Sequence, residues 1–260
     1  MDEREFFDKV VVITGAGQGQ GEHLARRFYD LGSKVALIDL NANSLENVIR
    51  SVSPKDEYAF KAYPLNVIDS NAVSEAIDDF GMHWGKIDIL VNNAGVLHKG
   101  RLEETTDEHI DLMIDVNLKG PMYCTRAVVK YMKEKGGTIL NVASILATFP
   151  NTGAGAYGAA KAGMILLTKV WAAELAPYHI RVNCYAPGTI RTPMMDEIFA
   201  QHREESKLSQ IPMREFGEVE DTFKLVSFLC SSRAHYINAQ TIGLDGGIWA
   251  TQTPTATWKK

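Results

Sequence analysis

The chain contains 260 residues, of which 45% are hydrophobic and 23% are charged, and it carries a formal net charge of −5. This length and apolar content are sufficient for one substantial core. The acidic balance leaves no basic face for phosphate contacts, so nucleic acid is not an expected partner. No apolar run reaches the ~18 residues of a membrane span, and the first residues lack an apolar signal core. We therefore expect a small-molecule partner and no membrane.

Three cysteines, Cys124, Cys184 and Cys230, lie far apart and form no C-x-x-C pair. This usage is typical of free thiols in a reducing compartment rather than of a disulfide framework or a zinc site. We therefore expect a cytoplasmic protein without a metal site.

Apolar runs of strand length alternate with longer segments of helical period along the chain. Because these runs are nearly continuous, helices should cover both faces of a mostly parallel, doubly wound α/β sheet. Asp69 is placed to cap one helix, and Thr105 and Glu108 have capping-box spacing before a helical stretch that ends near residue 133. The seven predicted strands cover residues 9–14, 34–39, 58–65, 87–92, 137–143, 180–186 and 240–244.

Glycines follow the first predicted strand and open a helix at Gly15, Gly19 and Gly21, with Gln18 and Gln20 in the same loop. Such a pattern alone also occurs in ordinary turns. In this position, however, backbone N–H groups and the positive end of the helix face the place of a pyrophosphate. The arrangement predicts a dinucleotide site.

Asp39 ends the second predicted strand, where a carboxylate can accept both ribose hydroxyls of an adenosine and would repel a 2′-phosphate. Neither Gln18 nor Leu40, the neighbour of Asp39, offers a cation to offset that repulsion. The cofactor prediction is therefore NAD, favoured over NADP. The alternative is that Asp39 only caps a turn.

Polar and small residues follow the next two strands. After the third strand, the Asn66 amide oxygen and the Val67 backbone could meet an adenine edge. After the fourth strand, Asn93, Ala94 and Gly95 would let the backbone approach a ligand, although such turns are also ordinary structural features.

Two Tyr-x-x-x-Lys pairs occur, Tyr131 with Lys135 and Tyr157 with Lys161. Tyr131 lies in a charged helix end and is expected to be solvated. Tyr157 and Lys161 share one helix face, and Ser144 ends the fifth strand. A tyrosine base near pH 7 needs its pKa lowered by roughly 3 units. Lys161 and a positively charged cofactor could supply that shift.

Two further polar residues complete the predicted catalytic group. Ser144 would hold the substrate oxygen through its hydroxyl. Asn117 interrupts a helical stretch, where its amide could hold a water that connects Lys161 to solvent. The alternative is that Asn117 is a packing or exposed polar residue.

Taken together, these motifs resemble the short-chain dehydrogenase/reductase family from Val10 to about Gly247. The resemblance implies a single Rossmann-type, three-layer αβα domain and a catalytic tetrad of Asn117, Ser144, Tyr157 and Lys161. It also implies that Tyr157 and Lys161 contact the cofactor and that Pro187, Gly188, Ile190 and Thr192 surround the nicotinamide. Asn66 departs from the aspartate usual in the family. The resemblance further implies a homotetramer or homodimer, formed through helices at about 107–133 and 155–176.

The sequence is interpreted as an NAD-dependent oxidoreductase that interconverts a secondary alcohol and a ketone. A lid at about 189–218 and the segment before Tyr157 should select the substrate, and residues 251–260 are expected to form a tail. One alternative is a 3-oxoacyl thioester reductase, with Arg126, Lys130 and Lys133 docking an acidic carrier, and another is a non-catalytic NAD-binding scaffold. The expected substrate residues are Leu97, His98, Ile145, Leu146, Phe149, Thr152, Met194 and Met195.

Overall fold

A computed structural model of the chain describes residues 3–54, 56–193, 204–251 and 253–258. Within this part of the chain, seven strands form one sheet in the order β3-β2-β1-β4-β5-β6-β7, and every pairing is parallel. The strands are β1 (Val10–Thr14), β2 (Lys34–Asp39), β3 (Phe60–Pro64), β4 (Ile89–Asn92), β5 (Gly137–Val142), β6 (Ile180–Pro187) and β7 (Thr241–Leu244). The predicted fold class is confirmed.

Helices cover both faces of this sheet. They are α1 (Gly19–Asp30), α2 (Ala42–Val52), α3 (Ser70–Trp84), α4 (Asp107–Ile114), α5 (Gly120–Met132), α6 (Gly155–Leu175), α7 (Glu204–Leu208) and α8 (Val219–Cys230). A π-helical segment, Asp115–Lys119, joins α4 to α5, and a 3-10 turn spans Pro254–Trp258. No helix of the described residues has the length and apolar character required to cross a membrane.

Alternate residues of β1 point into two separate cores. Val11 and Ile13 pack with α1, α2 and α8, whereas Val10 and Val12 pack with α3, α5 and α6. This alternation is the period-two geometry of a strand buried on both faces. It explains why the apolar runs read as continuous in the sequence.

The strand order reverses beside β1, because β2 lies on one side of it and β4 on the other. Helices leave the carboxyl ends of these two parallel neighbours on opposite faces of the sheet. In open α/β sheets the resulting crevice is where ligands bind. The fold therefore brings the glycine turn after β1 and the Asn93 turn after β4 to one edge.

The predicted cap at Asp69 is confirmed, since its carboxylate accepts the N–H groups of Asn71 and Ala72. The predicted capping box at Thr105 is wrong by one residue. The hydroxyl of Thr106 accepts the His109 N–H and caps α4, whereas the Thr105 hydroxyl donates to the carbonyl of Arg101. Two adjacent threonines offer the same chemistry, and the direction of the incoming loop decides between them.

The expectation that Tyr131 is solvated holds only in part, because its side chain is half-buried. Its ring lies against α3, where a Cβ atom on Gly81 would come within 2.8 Å of it. Its hydroxyl donates to Asp78 Oδ1 at 2.9 Å. Desolvation, followed by the hydrogen bond to Asp78, raises the pKa of Tyr131 to about 12. The residue serves helix packing and does not line the cavity described below.

Candidate active site

A cavity of about 750 Å³ opens at the carboxyl ends of β1, β2, β4, β5 and β6. Its lining includes residues of the glycine turn, Asp39, the turn after β4, Ser144, Tyr157 and Lys161. Gly15 and Lys161, which are 146 positions apart in the sequence, thus meet in one hollow. A second hollow of about 780 Å³, beside β7, includes Ile165, Lys169 and Thr241 but none of the predicted catalytic residues.

The three glycines of the turn after β1 have different structural roles. Gly15 and Gly19 have φ of +65° and +58°, a region that side chains disfavour. Gly19 lines the cavity and faces Thr192, because a Cβ atom on Gly19 would lie 3.4 Å from the Thr192 side chain. A Cβ atom on Gly21 would come within 2.0 Å of the Gly15 carbonyl oxygen. Gly21 is buried behind the turn, outside the lining, and its predicted role becomes close packing.

Hydrogen bonds join the glycine turn to the turn after β4. The Thr14 hydroxyl oxygen accepts the N–H groups of Asn93 and Ala94 at 3.1 and 3.0 Å. In return, the Asn93 side-chain amide donates to the carbonyls of Thr14 and Gly15, both at 3.0 Å. The predicted cofactor residue Asn93 therefore holds the cradle together. Gln18, Gln20, Ala94 and Gly95 lie in the lining.

Asp39 lies in the lining at the end of β2. One oxygen of its carboxylate accepts the Gly17 N–H at 2.9 Å, and the other accepts the Asn41 N–H at 2.9 Å. These bonds aim the carboxylate at the glycine turn and leave lone pairs for another donor. Leu40, which is 71% exposed, forms the rim beside it.

The residues after β3 also reach the cavity. The Asn66 amide oxygen accepts the Ile68 N–H at 3.3 Å, so it closes its own turn while it lines the hollow. Val67 is buried, and a Cβ atom on Gly120 would lie 2.8 Å from its side chain. The positions expected to meet adenine are thus fixed by packing against the start of α5.

Ser144, Tyr157 and Lys161 meet at the end of β5. Ser144 caps a short 3-10 turn, where its hydroxyl oxygen accepts the Leu146 N–H at 3.2 Å. Lys161 is 3% exposed, and its Nζ donates to the Val142 carbonyl at 2.8 Å and lies 5.7 Å from the centroid of the Tyr157 ring. Only one helical turn separates Tyr157 from Lys161.

The environment shifts the pKa of both groups. Burial of the phenol raises the pKa of Tyr157, and a hydrogen bond with Ser144 opposes that shift. Desolvation lowers the pKa of Lys161 to about 8. A phenol next to a lysine ammonium can exchange a proton when further positive charge is brought close. The site has the chemistry of a general acid and base.

Asn117 lies in the π-helical segment and is completely buried. Its Nδ2 donates to the carbonyls of Val96 and Met113, both at 2.8 Å, and its Oδ1 accepts the Val96 N–H at 3.2 Å. Gly95 lies between Asn117 and Lys161, since a Cβ atom there would be 2.8 Å from Asn117 Oδ1 and 3.4 Å from Lys161 Nζ. The side chain thus holds the loop after β4 in place. A water held by Asn117 stays a prediction.

The predicted substrate residues divide into two groups. Leu97, Ile145, Leu146 and Phe149 line the cavity, whereas His98 and Thr152 are exposed and do not. His98 stacks on His109 with ring centroids 4.1 Å apart. Met194 and Met195 lie outside the described residues. The predicted lid region contributes Lys207, Gln210 and Ile211 to the lining, and the segment before Tyr157 contributes Pro150, Asn151 and Ala154. Sequence reasoning missed lining positions outside these regions that carry no motif, among them Lys99, Leu112, Ile248, Thr251 and Pro254.

The segment predicted as a lid is described on both sides of residues 194–203. Pro187, Gly188, Ile190 and Thr192 line the cavity, as do Lys207, Gln210 and Ile211. The Gly217 N–H donates to the Thr189 carbonyl at 3.0 Å, which ties the two ends of the segment together. Within the described chain, no group of three His, Cys, Asp or Glu side chains could hold a metal ion.

Comparison with known proteins adds independent information. A family profile described as enoyl-(acyl carrier protein) reductase matches residues 15–249. A 3-oxoacyl-(acyl-carrier-protein) reductase FabG from Thermotoga maritima is 39% identical over 92% of this chain and 97% of its own. A 2,3-dihydro-2,3-dihydroxybenzoate dehydrogenase from Bacillus subtilis is 34% identical over 95% of this chain and 98% of its own. The crystal structure of a 3-ketoacyl-(acyl-carrier-protein) reductase from Brucella melitensis complexed with NADH superposes with a TM-score of 0.86 and 32% sequence identity. The superposition covers 94% of this chain and 99% of that chain.

Proposed function

Because the chain belongs to the short-chain dehydrogenase/reductase family, we propose that it is an NAD-dependent enzyme that interconverts a secondary alcohol and a ketone. One observation carries the proposal: Ser144, Tyr157 and Lys161 line the same cavity as the glycine turn and Asp39. A proton carrier and a dinucleotide cradle in one hollow are what hydride transfer needs.

The residues present fit a nicotinamide dinucleotide. Gly15, Gly19 and the start of α1 offer backbone N–H groups to a pyrophosphate, and the Asp39 carboxylate retains lone pairs for ribose hydroxyls. Pro187, Gly188 and Thr192 line the part of the cavity next to β6. When bound, the cofactor supplies the acceptor or donor of the hydride. The Brucella melitensis relative was solved with NADH, which supports the same cofactor class here.

The proton chemistry belongs to this chain. In oxidation of an alcohol, the Ser144 hydroxyl holds the substrate oxygen and Tyr157 takes its proton. Lys161, whose pKa of about 8 leaves most of its ammonium charged at neutral pH, stabilises the phenolate that accepts this proton. In reduction, the raised pKa of Tyr157 keeps the phenol protonated and ready to donate.

The preference for NAD rests on Asp39. A 2′-phosphate at this ribose would meet the carboxylate that accepts the Gly17 N–H. Gln18 and Leu40, the neighbouring lining residues, carry no positive charge to compensate. Like charges in contact cost affinity, so the proposal is that NAD is used in preference to NADP.

A second candidate is reduction of 3-oxoacyl thioesters, which is favoured by the similarity to the Thermotoga maritima reductase. Both candidates use the same proton carrier and differ in the rest of the substrate. The cations considered for docking an acidic carrier are already engaged: Lys130 pairs with Asp78 at 2.5 Å, and Arg126 and Lys133 lie over the rings of Tyr123 and Tyr178. These contacts favour a free alcohol over a carrier-bound thioester as the substrate.

A screen tests the proposal. The protein is incubated with NAD and a panel of secondary alcohols that includes 3-hydroxyacyl thioesters, and NADH formation is followed by absorbance. We expect NADH from at least one alcohol. A response restricted to thioesters would favour the second candidate. No NADH from any alcohol or thioester, together with no NADH oxidation by the matching ketones, would contradict both and favour a scaffold.

The proposal includes a homotetramer or homodimer. Large apolar side chains on the outer faces of α5 and α6 support it, since Met122, Leu166 and Val170 are 41%, 63% and 42% exposed. Burial of such side chains against a second copy is favourable. Sedimentation of the protein and of Leu166→Glu tests this: a monomeric wild-type protein would contradict the assembly.

A further inference from the structure

Three hydrogen-bonded side chains lie behind the glycine turn after β1. The Tyr185 hydroxyl on β6 donates to Gln20 Oε1 at 3.3 Å, and the Thr222 hydroxyl on α8 donates to the same oxygen at 2.9 Å. Tyr185 and Thr222 are completely buried, whereas Gln20 is half-buried and lines the cavity. The Gln20 side chain therefore connects the interior of the protein with the cavity.

These contacts fix the direction in which the Gln20 amide points. Neither hydroxyl has another hydrogen-bond partner in the part of the chain that the structure describes. Burial raises the pKa of Tyr185, so its phenol keeps its proton and acts as a donor. A buried hydroxyl needs an acceptor, and in a primary amide only the oxygen accepts. Gln20 is therefore held with Oε1 towards the interior.

The nitrogen of the same amide is left for a ligand. Gln20 Nε2 donates to none of the described residues. It also keeps accessible surface, because the fully buried side-chain atoms that lack a partner in the described chain belong to Arg27, Trp84, Asn92 and Thr241. An amide nitrogen carries two N–H donors. These donors are open to the cavity that Gln20 lines.

The position of Gln20 indicates which part of the cofactor it meets. Gln20 is the second residue of α1, at the helix end where N–H groups favour a phosphate. Its side chain is held from β6, which ends at the lining residue Pro187. Asp39, the residue proposed for the adenosine ribose, ends β2 on the other side of β1. The amide therefore faces the phosphate on the nicotinamide side.

We infer that the Gln20 side chain donates an N–H group to the nicotinamide-side phosphate of the cofactor, and that Tyr185 and Thr222 are positioning residues that hold this amide in place. The inference rests on the proposed function, because it concerns the cofactor of the same site. Tyr185 and Thr222 do not line the cavity, so they act only through Gln20. A hydrogen bond to a charged phosphate oxygen is stronger than one between neutral groups.

Calorimetric titration with NADH, ADP-ribose and AMP tests the contact without turnover. The first two ligands contain both phosphates, whereas AMP contains only the phosphate on the adenosine side. Gln20→Glu keeps an oxygen for the two hydroxyls and replaces the N–H donors by negative charge. It should raise the Kd of NADH and of ADP-ribose about 10-fold or more, the size of a lost charged hydrogen bond, and raise the Kd of AMP less.

The comparison variant is Gln18→Glu, which adds the same charge to the same turn. Gln18 lines the cavity but its side chain does not cap α1 and bonds neither Tyr185 nor Thr222. The variant therefore measures how much of the loss comes from charge alone, and we expect a smaller loss than in Gln20→Glu.

The two positioning residues are tested by Tyr185→Phe and Thr222→Val, which each remove one hydroxyl with little change of shape. Each variant should raise the Kd of NADH and of ADP-ribose about 3-fold, the size of a lost neutral hydrogen bond, and leave the Kd of AMP unchanged. Ser227→Ala is the control, because Ser227 is completely buried on the same helix and its hydroxyl donates to the Lys224 carbonyl. It should lower the free energy of unfolding in urea without raising any Kd.

The outcomes separate this inference from the proposed function. Equal losses in Gln20→Glu and Gln18→Glu overturn the side-chain contact. Weaker binding of NADH with unchanged binding of ADP-ribose also overturns it, because the contact would then be made by the nicotinamide. Unchanged Kd values in Tyr185→Phe and Thr222→Val overturn the positioning role. In these cases the wild type still binds NADH and the proposed function stands, whereas a wild type that binds neither NADH nor ADP-ribose contradicts the cofactor site itself.

Discussion

The two ends of the cavity are built differently. At the cofactor end, backbone groups and short polar side chains at strand ends are hydrogen-bonded to one another, as Thr14, Asn93 and Asp39 show. At the substrate end, the lining comes from loops and from the segments on both sides of residues 194–203, with long side chains such as Lys99 and Lys207. The first end is fixed by the sheet, whereas the second is held by loop contacts.

This difference predicts which changes are tolerated. A substitution at the cofactor end disturbs hydrogen bonds between strands and should affect folding or every substrate equally. A substitution at the substrate end should alter KM for one substrate class. The proposed catalytic residues Ser144, Tyr157 and Lys161 lie between the two ends, where loss of one group should stop turnover without loss of cofactor binding.

The largest effect is expected for the residues that lie between the two ends of the cavity. Tyr157→Phe removes the hydroxyl that carries the proton and should lower kcat by about 1,000-fold or more, within the range of general acid–base catalysis. NADH binding, measured by fluorescence titration, should persist because the glycine turn is unchanged. The matched control is Tyr131→Phe, which removes a hydroxyl bound to Asp78 and should keep kcat. Comparable activity of Tyr157→Phe and wild type would remove Tyr157 from the mechanism.

The rigidity of the cofactor end is tested by Gly21→Ala. The added methyl group would lie 2.0 Å from the Gly15 carbonyl oxygen, so the turn must move. We expect the free energy of unfolding to fall by roughly 3 kcal/mol, the upper range of overpacking. Gly155→Ala is the control, because a Cβ atom there meets nothing within 4 Å. Urea unfolding of both variants provides the measurement, and equal stability of the two would refute the packing role.

The charge at the cofactor end is tested by Asp39→Asn. Removing the carboxylate should lower the preference for NAD over NADP, measured as the ratio of kcat/KM values, by about 10-fold. Glu46→Gln removes a carboxylate that pairs with Arg50 on the following helix and should leave the ratio unchanged. An unaltered ratio in Asp39→Asn would mean that other groups select the cofactor.

A pH profile examines the boundary more finely. Oxidation requires deprotonated Tyr157, so kcat/KM for the alcohol should rise with pH. Reduction requires the protonated phenol, so kcat/KM for the ketone should fall with pH. Lys161→Met removes a positive charge that favours the phenolate and should move the oxidation profile upward by about one pH unit. A profile that moves to lower pH would contradict this role of Lys161.

The smallest effect is expected at the substrate end. Thr251 and Pro254 line the cavity, and Trp258 Nε1 donates to the Pro212 carbonyl at 2.9 Å. Truncation after Ala250 should therefore raise KM for substrate about 5-fold, equivalent to ~1 kcal/mol, without a change in KM for NAD. Trp258→Phe keeps a smaller aromatic ring and loses the Nε1–H donor, so its KM for substrate should lie between those of the wild type and the truncated protein. A larger change in KM for NAD than in KM for substrate would contradict the assignment of this segment to the substrate end.

The sequence was sufficient where a feature depends on local order. The glycine turn, Asp39 and the Tyr157–Lys161 pair each follow a strand or share a helix turn, and their meeting follows from parallel topology. The features that sequence reasoning missed depend on tertiary contacts. Tyr131 packs partly against α3, and the Asn117 amide joins the π-helical segment to Val96 on the loop after β4. Nothing in the local pattern distinguishes Lys99 from an ordinary surface lysine, because the Gly100–Gly153 bond places it.

The Thr14 hydroxyl has a consequence for how such proteins diversify. One oxygen atom accepts two N–H groups from the turn after β4, so the floor under the cofactor is assembled as soon as the two central strands pair. The segments after β5 and β6, which line the substrate end, do not contribute to that floor. New substrate specificities can therefore arise by exchange of those segments alone, while the hydrogen-bonded turns after β1 and β4 stay unchanged.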